Sequence, residues 1–98
     1  MSEPGAAALQ GEELKKHYAK LQGWTLVDEH HLEKEYRFPD FREALAYVNR
    51  LGEVAEREGH HPDVFLAWGK VKVTLWTHSI GGLSPKDFEL AAEADGVK

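Results

Sequence analysis

The 98-residue chain reads as an α+β two-layer sandwich, and three observations carry that reading. Period-2 patterning marks Leu32 to Phe38 and Val71 to Thr77 as strands. Apolar residues at helical spacing run from Phe41 to Ala55 between a start signal and a stop signal. Strand signals also come in close pairs, as in antiparallel hairpins. The predicted order is helix, strand, strand, helix, strand, strand, helix.

The first helix opens at Gly11, where "GEELKKHYAKLQGW" spaces Leu14, Tyr18 and Leu21 helically, has acidic residues in its first turn and stops at Gly23. Strands are expected at 24–28 and 32–38, joined by a turn at Asp28 to His31. Leu32, Lys34, Tyr36 and Phe38 share one face of the second strand, and Glu33, Glu35 and Arg37 the other. Asp40, with Glu43 three residues on, starts the long helix, and Gly59 followed by Pro62 ends it. On a 100° wheel Phe41, Ala44, Leu45, Val48, Leu51 and Ala55 form the stripe that covers a sheet, widened on one flank by Tyr47 and Val54. That extra width suits either cover by the first or last helix, the commoner outcome, or a subunit contact, and an oligomer is expected.

In "VFLAWGKVKVTLWTH" two apolar runs flank Gly69 and Lys70, the pattern of a second hairpin. Val71, Val73, Leu75 and Thr77 face inward, which sends Lys72, Thr74, Trp76 and His78 to the opposite face. Ser84 caps the last helix with Asp87 at its third position, and Phe88, Leu90, Ala91 and Ala94 give its apolar side. Residues 1–10 read as a flexible N-terminus and 11–98 as a single domain.

Composition narrows the function classes. The chain has no cysteine, so thiolate chemistry and disulfides are excluded. A formal net charge of −5 argues against direct nucleic-acid binding, which needs a clustered basic surface. No apolar run approaches a membrane span and no basic leader opens the chain, so a cytoplasmic protein is expected. Phosphate loops and G-x-S-x-G nucleophiles are missing from the sequence.

What remains is imidazole. His60 and His61 follow Gly59 where the chain leaves the long helix, and His78 closes the last strand. All three meet at one sheet edge if that strand lies beside the helix exit. An imidazole near a helix C-terminus feels the negative end of the dipole and serves as a general acid near neutrality. Taken singly, "GHHP" is also an ordinary helix terminator, and zinc held by three imidazoles is a second alternative. Adjacent side chains diverge, however, and no H-E-x-x-H pattern is present, so no metal is assigned. His30 and His31 read as turn residues and His17 as a helix-surface residue.

The spacing is more telling than any one histidine: Glu56, three residues, His60-His61-Pro62, five residues, Trp68, nine residues, His78, eight residues, Asp87. With "GW" before the first strand and "FPDFREAL" opening the long helix, this pattern resembles the pterin-4a-carbinolamine dehydratases from about Leu14 to Ala94. The mammalian member of that family also serves as a dimerization cofactor of a homeodomain transcription factor. The resemblance implies a four-stranded antiparallel sheet with helices on one face, and homodimers or homotetramers built through sheet edges and the long helix. It implies dehydration of 4a-hydroxytetrahydropterin to quinonoid dihydropterin without metal or organic cofactor, downstream of an aromatic amino acid hydroxylase.

Carried over by position, His60 and His78 match the acid/base histidines and His61 the one that holds the substrate near its hydroxyl. The substrate contacts of the family fall on Gly59, His60, His61, Trp76, Thr77, His78 and Ser79. Trp24 is a further candidate for the pterin pocket, balanced against a place in the core. Glu56 and Asp87 are candidates for orienting the rings. Two stretches depart from the animal members, which carry an acidic residue where Gly59 stands and "STHE" where this chain has "WTHS". A non-catalytic interaction module on the same fold is the competing expectation.

Overall fold

The structure, a computed structural model, describes residues 7–98. Its elements are α1 (Gly11–Tyr18), β1 (Thr25–Val27), β2 (His31–Arg37), α2 (Phe41–Glu58), β3 (Asp63–Ala67), β4 (Lys70–Leu75) and α3 (Pro85–Gly96), with one 3-10 turn at His78–Ile80. The strands form a single antiparallel sheet in the order β1-β2-β4-β3. The two expected hairpins are therefore joined through β2 and β4, with Leu32 opposite Leu75 and Tyr36 opposite Val71.

Alternation sets the faces. Leu32 and Tyr36 of β2 and Val71, Val73 and Leu75 of β4 are buried against the helices, and Glu35, Arg37 and Lys72 lie exposed on the other side. Over this apolar face α2 lays Ala44, Tyr47, Leu51, Val54 and Ala55, and α3 adds Phe88, Leu90, Ala91 and Ala94. Each fully buried leucine, valine or phenylalanine among them contributes roughly 1.5–3 kcal/mol relative to exposure. Tyr47 is the wedge between helix and sheet, its ring 4.8 Å from that of Tyr36 and 5.3 Å from that of Phe38.

That wedge corrects the helical stripe. Phe41 and Leu45, expected inward, are exposed, while Tyr47 and Val54, expected only to widen the stripe, sit in the core. The helix is rotated towards the side where a large aromatic fills the gap above β2. The first helix also ends early, at Tyr18, whose hydroxyl donates to the Trp24 carbonyl at 2.6 Å and so ties the loop before β1.

The edge strand β3 exposes Val64 and Phe65, and Trp68 in the turn that follows is 69% exposed. Of the N-terminal stretch 1–10, residues 1–6 lie outside the described residues; Leu9 packs on the core and its N–H donates to the Leu83 carbonyl at 2.8 Å. Among the described residues no helix is long and apolar enough to cross a membrane.

Candidate active site

Two chain exits make the site. The first is the end of α2. Asp40 starts that helix by accepting the Glu43 N–H at 2.8 Å, and 19 residues later Gly59 stops it at φ +66. This left-handed conformation costs glycine no steric penalty. It turns the His60 N–H back to the Ala55 carbonyl at 3.2 Å. His60 and His61 thus leave the helix before Pro62 and the start of β3.

The second exit is the end of β4, where the structure departs from the sequence reading. The alternation stops at Leu75. Thr77 bridges Gly82 instead, its N–H donating to the Gly82 carbonyl at 2.8 Å, and a 3-10 turn from His78 to Ile80 closes with Gly81 at φ +63. His78 therefore projects from a turn and not from the outer face of a strand. Trp76 is half-buried against the core, and its ring stacks on that of His78 with centroids 3.9 Å apart.

These exits enclose an open groove of about 370 Å³, with Gly59 to Asp63 on one wall and Trp76 to Ser79 on the other. The structure thus brings together seven residues expected at the site: Gly59, His60, His61, Trp76, Thr77, His78 and Ser79. Pro62 and Asp63 join the lining as chain neighbours of the histidine pair.

Asp87 lies beneath the groove, fully buried in the first turn of α3. Its Oδ1 accepts from His60 Nε2 at 2.6 Å, and its Oδ2 accepts from Thr77 Oγ1 at 2.7 Å and from the Ser84 N–H at 2.9 Å. A buried carboxylate is tolerable only when its lone pairs are used, and here both oxygens are engaged at the positive end of a helix. The capping box Ser84–Asp87 therefore has a second task. Because a carboxylate only accepts, His60 carries its hydrogen on Nε2, which leaves Nδ1 as the ring's free nitrogen. The hydroxyls of Thr77 and Ser84 lie 2.8 Å apart and tie the wall of the groove to the cap of α3.

His61 is more exposed, with Nε2 2.6 Å from Glu56 Oε2 one turn back along α2. Both side chains are well solvated, so Glu56 orients this ring only weakly. They also line a second groove of about 470 Å³ between α2 and β3, which holds no ring besides His61 and the proline. Among the described residues no three His, Asp or Glu side chains come together as a metal site.

Trp24 is elsewhere. It is buried in the core, edge-on to Tyr36, with its indole N–H donating to Asp95 Oδ2 at 3.2 Å near the far end of α3, and it does not line the groove of the three histidines. Of its two expected places, pterin pocket or core, it takes the core, with a carboxylate 71 positions away as its partner. Ser84 was seen only as a cap, and no local signal connects its hydroxyl to Thr77.

The family model described as pterin 4 alpha carbinolamine dehydratase matches residues 7–97. A protein from Alkaliphilus metalliredigens is 50% identical over 92 residues, covering 93% of this chain and 83% of that relative, and bears the name "Putative pterin-4-alpha-carbinolamine dehydratase". One of the same name from Rubrobacter xylanophilus is 50% identical over 91 residues, covering 93% of this chain and 85% of the relative. The crystal structure of a transcriptional coactivator/pterin dehydratase from Brucella melitensis superposes with a TM-score of 0.86 at 31% identity, over 92% of this chain and 97% of that one. A pterin dehydratase-like protein described as a RuBisCO assembly factor in the alpha-carboxysome shares the fold, with a TM-score of 0.66 at 20% identity over 78% of this chain and 89% of that one. The chain belongs to the pterin 4 alpha carbinolamine dehydratase family.

Proposed function

We propose that this chain dehydrates 4a-hydroxytetrahydropterin to quinonoid dihydropterin and water, with His60 and His78 as the acid/base pair and His61 holding the substrate near its hydroxyl. The observation that carries this is the groove itself, where three imidazoles converge and one of them is fixed by a buried carboxylate. One imidazolium delivers a proton to the 4a-oxygen, the C–O bond breaks and its electron pair leaves with the oxygen as water. The lone pair of the adjacent ring nitrogen forms the C=N bond, and the second imidazole takes that nitrogen's proton. Both transfers suit groups that titrate near neutrality.

Asp87 supports this chemistry without touching the substrate. Its bond to Nε2 holds the His60 ring in one orientation through both protonation states, as the third member of a triad does. The product side of the reaction consumes no cofactor. The substrate must be supplied by an enzyme that oxidises a tetrahydropterin at carbon 4a, as aromatic amino acid hydroxylases do, and a cytoplasmic setting fits that supply.

Exposed Val64, Phe65 and Trp68 along edge strand β3 favour a second feature, a homodimer or homotetramer built through that edge. The same surface would serve a protein-interaction role on this fold, the alternative to catalysis. Stopped-flow absorbance of the carbinolamine, generated in situ, separates the two. The wild type is expected to accelerate its decay, and His60→Ala and His78→Ala each to lose about 10²- to 10⁴-fold of that acceleration. A folded wild type with no effect on the decay sinks the enzyme reading.

A further inference from the structure

Behind the groove a stack of rings leads away from His78. The register that pairs Leu32 with Leu75 brings the β1–β2 turn beside the end of β4, so His30 meets Trp76 with ring centroids 4.4 Å apart. Trp76 in turn stacks on His78. His30 itself does not line the groove.

The turn that presents His30 is strained. The His30 N–H donates to the Val27 carbonyl at 2.8 Å, and the two residues between, Asp28 and Glu29, have φ +54 and +53. Positive φ at both central positions is the signature of a type I′ turn, which favours Asn, Asp or Gly; glutamate is a poor occupant. Such strain persists only where surrounding contacts hold it in place.

Those contacts run back into the sheet. His31 Nε2 lies 3.2 Å from Glu33 Oε2, and His31 Nδ1 lies 3.0 Å from His30 Nδ1. The Glu33 carboxylate can only accept, so His31 carries its hydrogen on Nε2, and its Nδ1 accepts the hydrogen that His30 carries on Nδ1. Glu33 is held by Lys72 of β4, with Nζ 3.6 Å from Oε1. One tautomer and one orientation of His30 follow from this chain of partners.

We infer that His30 is a positioning residue for His78, acting through Trp76: the Glu33–His31–His30 chain fixes a ring against the indole, and the indole fixes the exposed imidazole that stacks on it. This rests on the dehydratase reading above. The His78 ring has no hydrogen-bond partner among the described residues, unlike the His60 ring, so stacking is what holds it.

The test compares His30→Ala and His30→Phe, the second keeping a flat ring on Trp76 but no hydrogen bond. Steady-state kinetics of carbinolamine dehydration and the His78 ring resonances in NMR spectra, assigned with His78→Gln, are read on each. His30→Ala is expected to lower kcat about tenfold with KM little changed, because the reacting group is displaced while the groove is intact. It is also expected to shift the His78 ring resonances away from their ring-current-shifted positions, and His30→Phe, which keeps the ring but loses its hydrogen-bonded anchor, to recover part of both losses. Wild-type kcat and unmoved His78 resonances in His30→Ala overturn the inference, as does a His30→Phe no better than His30→Ala. If the wild type itself shows no dehydration, the dehydratase reading falls, and the resonances alone decide whether His30 positions His78.

Discussion

One helix, α3, carries an aspartate near each end, and the two do different things. Asp87, at the first turn, collects His60, Thr77 and Ser84 and sits under an open groove. Asp95, in the last turn, collects the Trp24 indole at 3.2 Å, Lys34 Nζ at 2.8 Å and the Tyr36 hydroxyl at 2.5 Å. The carboxylate chemistry is the same at both ends. What differs is the donor.

At the Asp87 end one donor is an imidazole, the side-chain type most used for general acid/base work. At the Asp95 end the donors are an indole, an ammonium and a phenol. Burial raises the Tyr36 hydroxyl far above the ordinary phenol range, reinforced by its bond to Asp95, and burial pushes Tyr47 up to about 12. Asp95 therefore fastens β2 and the residue before β1 to α3, while Asp87 fastens an imidazole at the groove.

The largest effect is expected at Asp87. Replacing it with alanine leaves the Ser84 N–H without its acceptor and the His60 ring without its anchor, and should cost about 2–4 kcal/mol of stability in urea unfolding. Asp95→Asn keeps one acceptor oxygen where the carboxylate has two, so the Trp24 and Tyr36 donors, which use different oxygens, are no longer both served, and the half-buried Lys34 ammonium loses its counter-charge, for a cost of about 1–2 kcal/mol. Wild-type-like stability in both variants would remove the basis of the contrast.

Two smaller effects lie away from either aspartate. Glu29→Gly relieves the left-handed turn and should stabilise by up to about 1 kcal/mol; an unchanged or lower unfolding midpoint would contradict the strain. Glu93, on α3 beside Glu58 and Arg57, is raised first by burial of its carboxyl and then by the neighbouring Glu58, against the opposing Arg57 charge. A carboxyl whose folded pKa lies above its unfolded value favours the folded state fully only below the unfolded value, 4.5, and that contribution is lost as pH rises through the folded pKa. Glu93→Gln should thus raise the thermal midpoint slightly at neutral pH and confer no gain below pH 4.5. An equal gain at both pH values would contradict this origin.

Most of the fold was legible in the sequence because it rests on local periodicity: the strands around Tyr36 and Val73, the cap at Asp40 and the stop at Gly59 all fall where the pattern puts them. The misplacements have one cause, tertiary contact. The alternation through Trp76 and His78 is ended by a bridge to Gly82 that no period announces. Trp24, open between pocket and core in the sequence, is held in the core by Asp95, and α2 turns to seat Tyr47 where the wheel favoured Phe41.

The candidate site divides the same way. The convergence of His60 and His78 rested on the meeting of two chain exits, and the resemblance made Asp87 a candidate for orienting the rings, but nothing in its capping position told that it would be fully buried or that His60, 27 residues away, would be the ring it holds. His30 and His31 gave only a turn signal. Their link to Trp76 depends on the β2–β4 register, which the sequence leaves open between several pairings.

The most direct measurement is carbinolamine decay followed by stopped-flow absorbance with wild type, Asp87→Asn and Asp95→Asn side by side, at a temperature where all three are folded. The account predicts that Asp87→Asn loses about 10- to 100-fold in kcat/KM, because the His60 ring loses its charged partner, and that Asp95→Asn stays within about twofold of wild type. Equal losses in the two variants, or none in Asp87→Asn, would contradict the claim that the groove over Asp87 is where this protein does its chemistry.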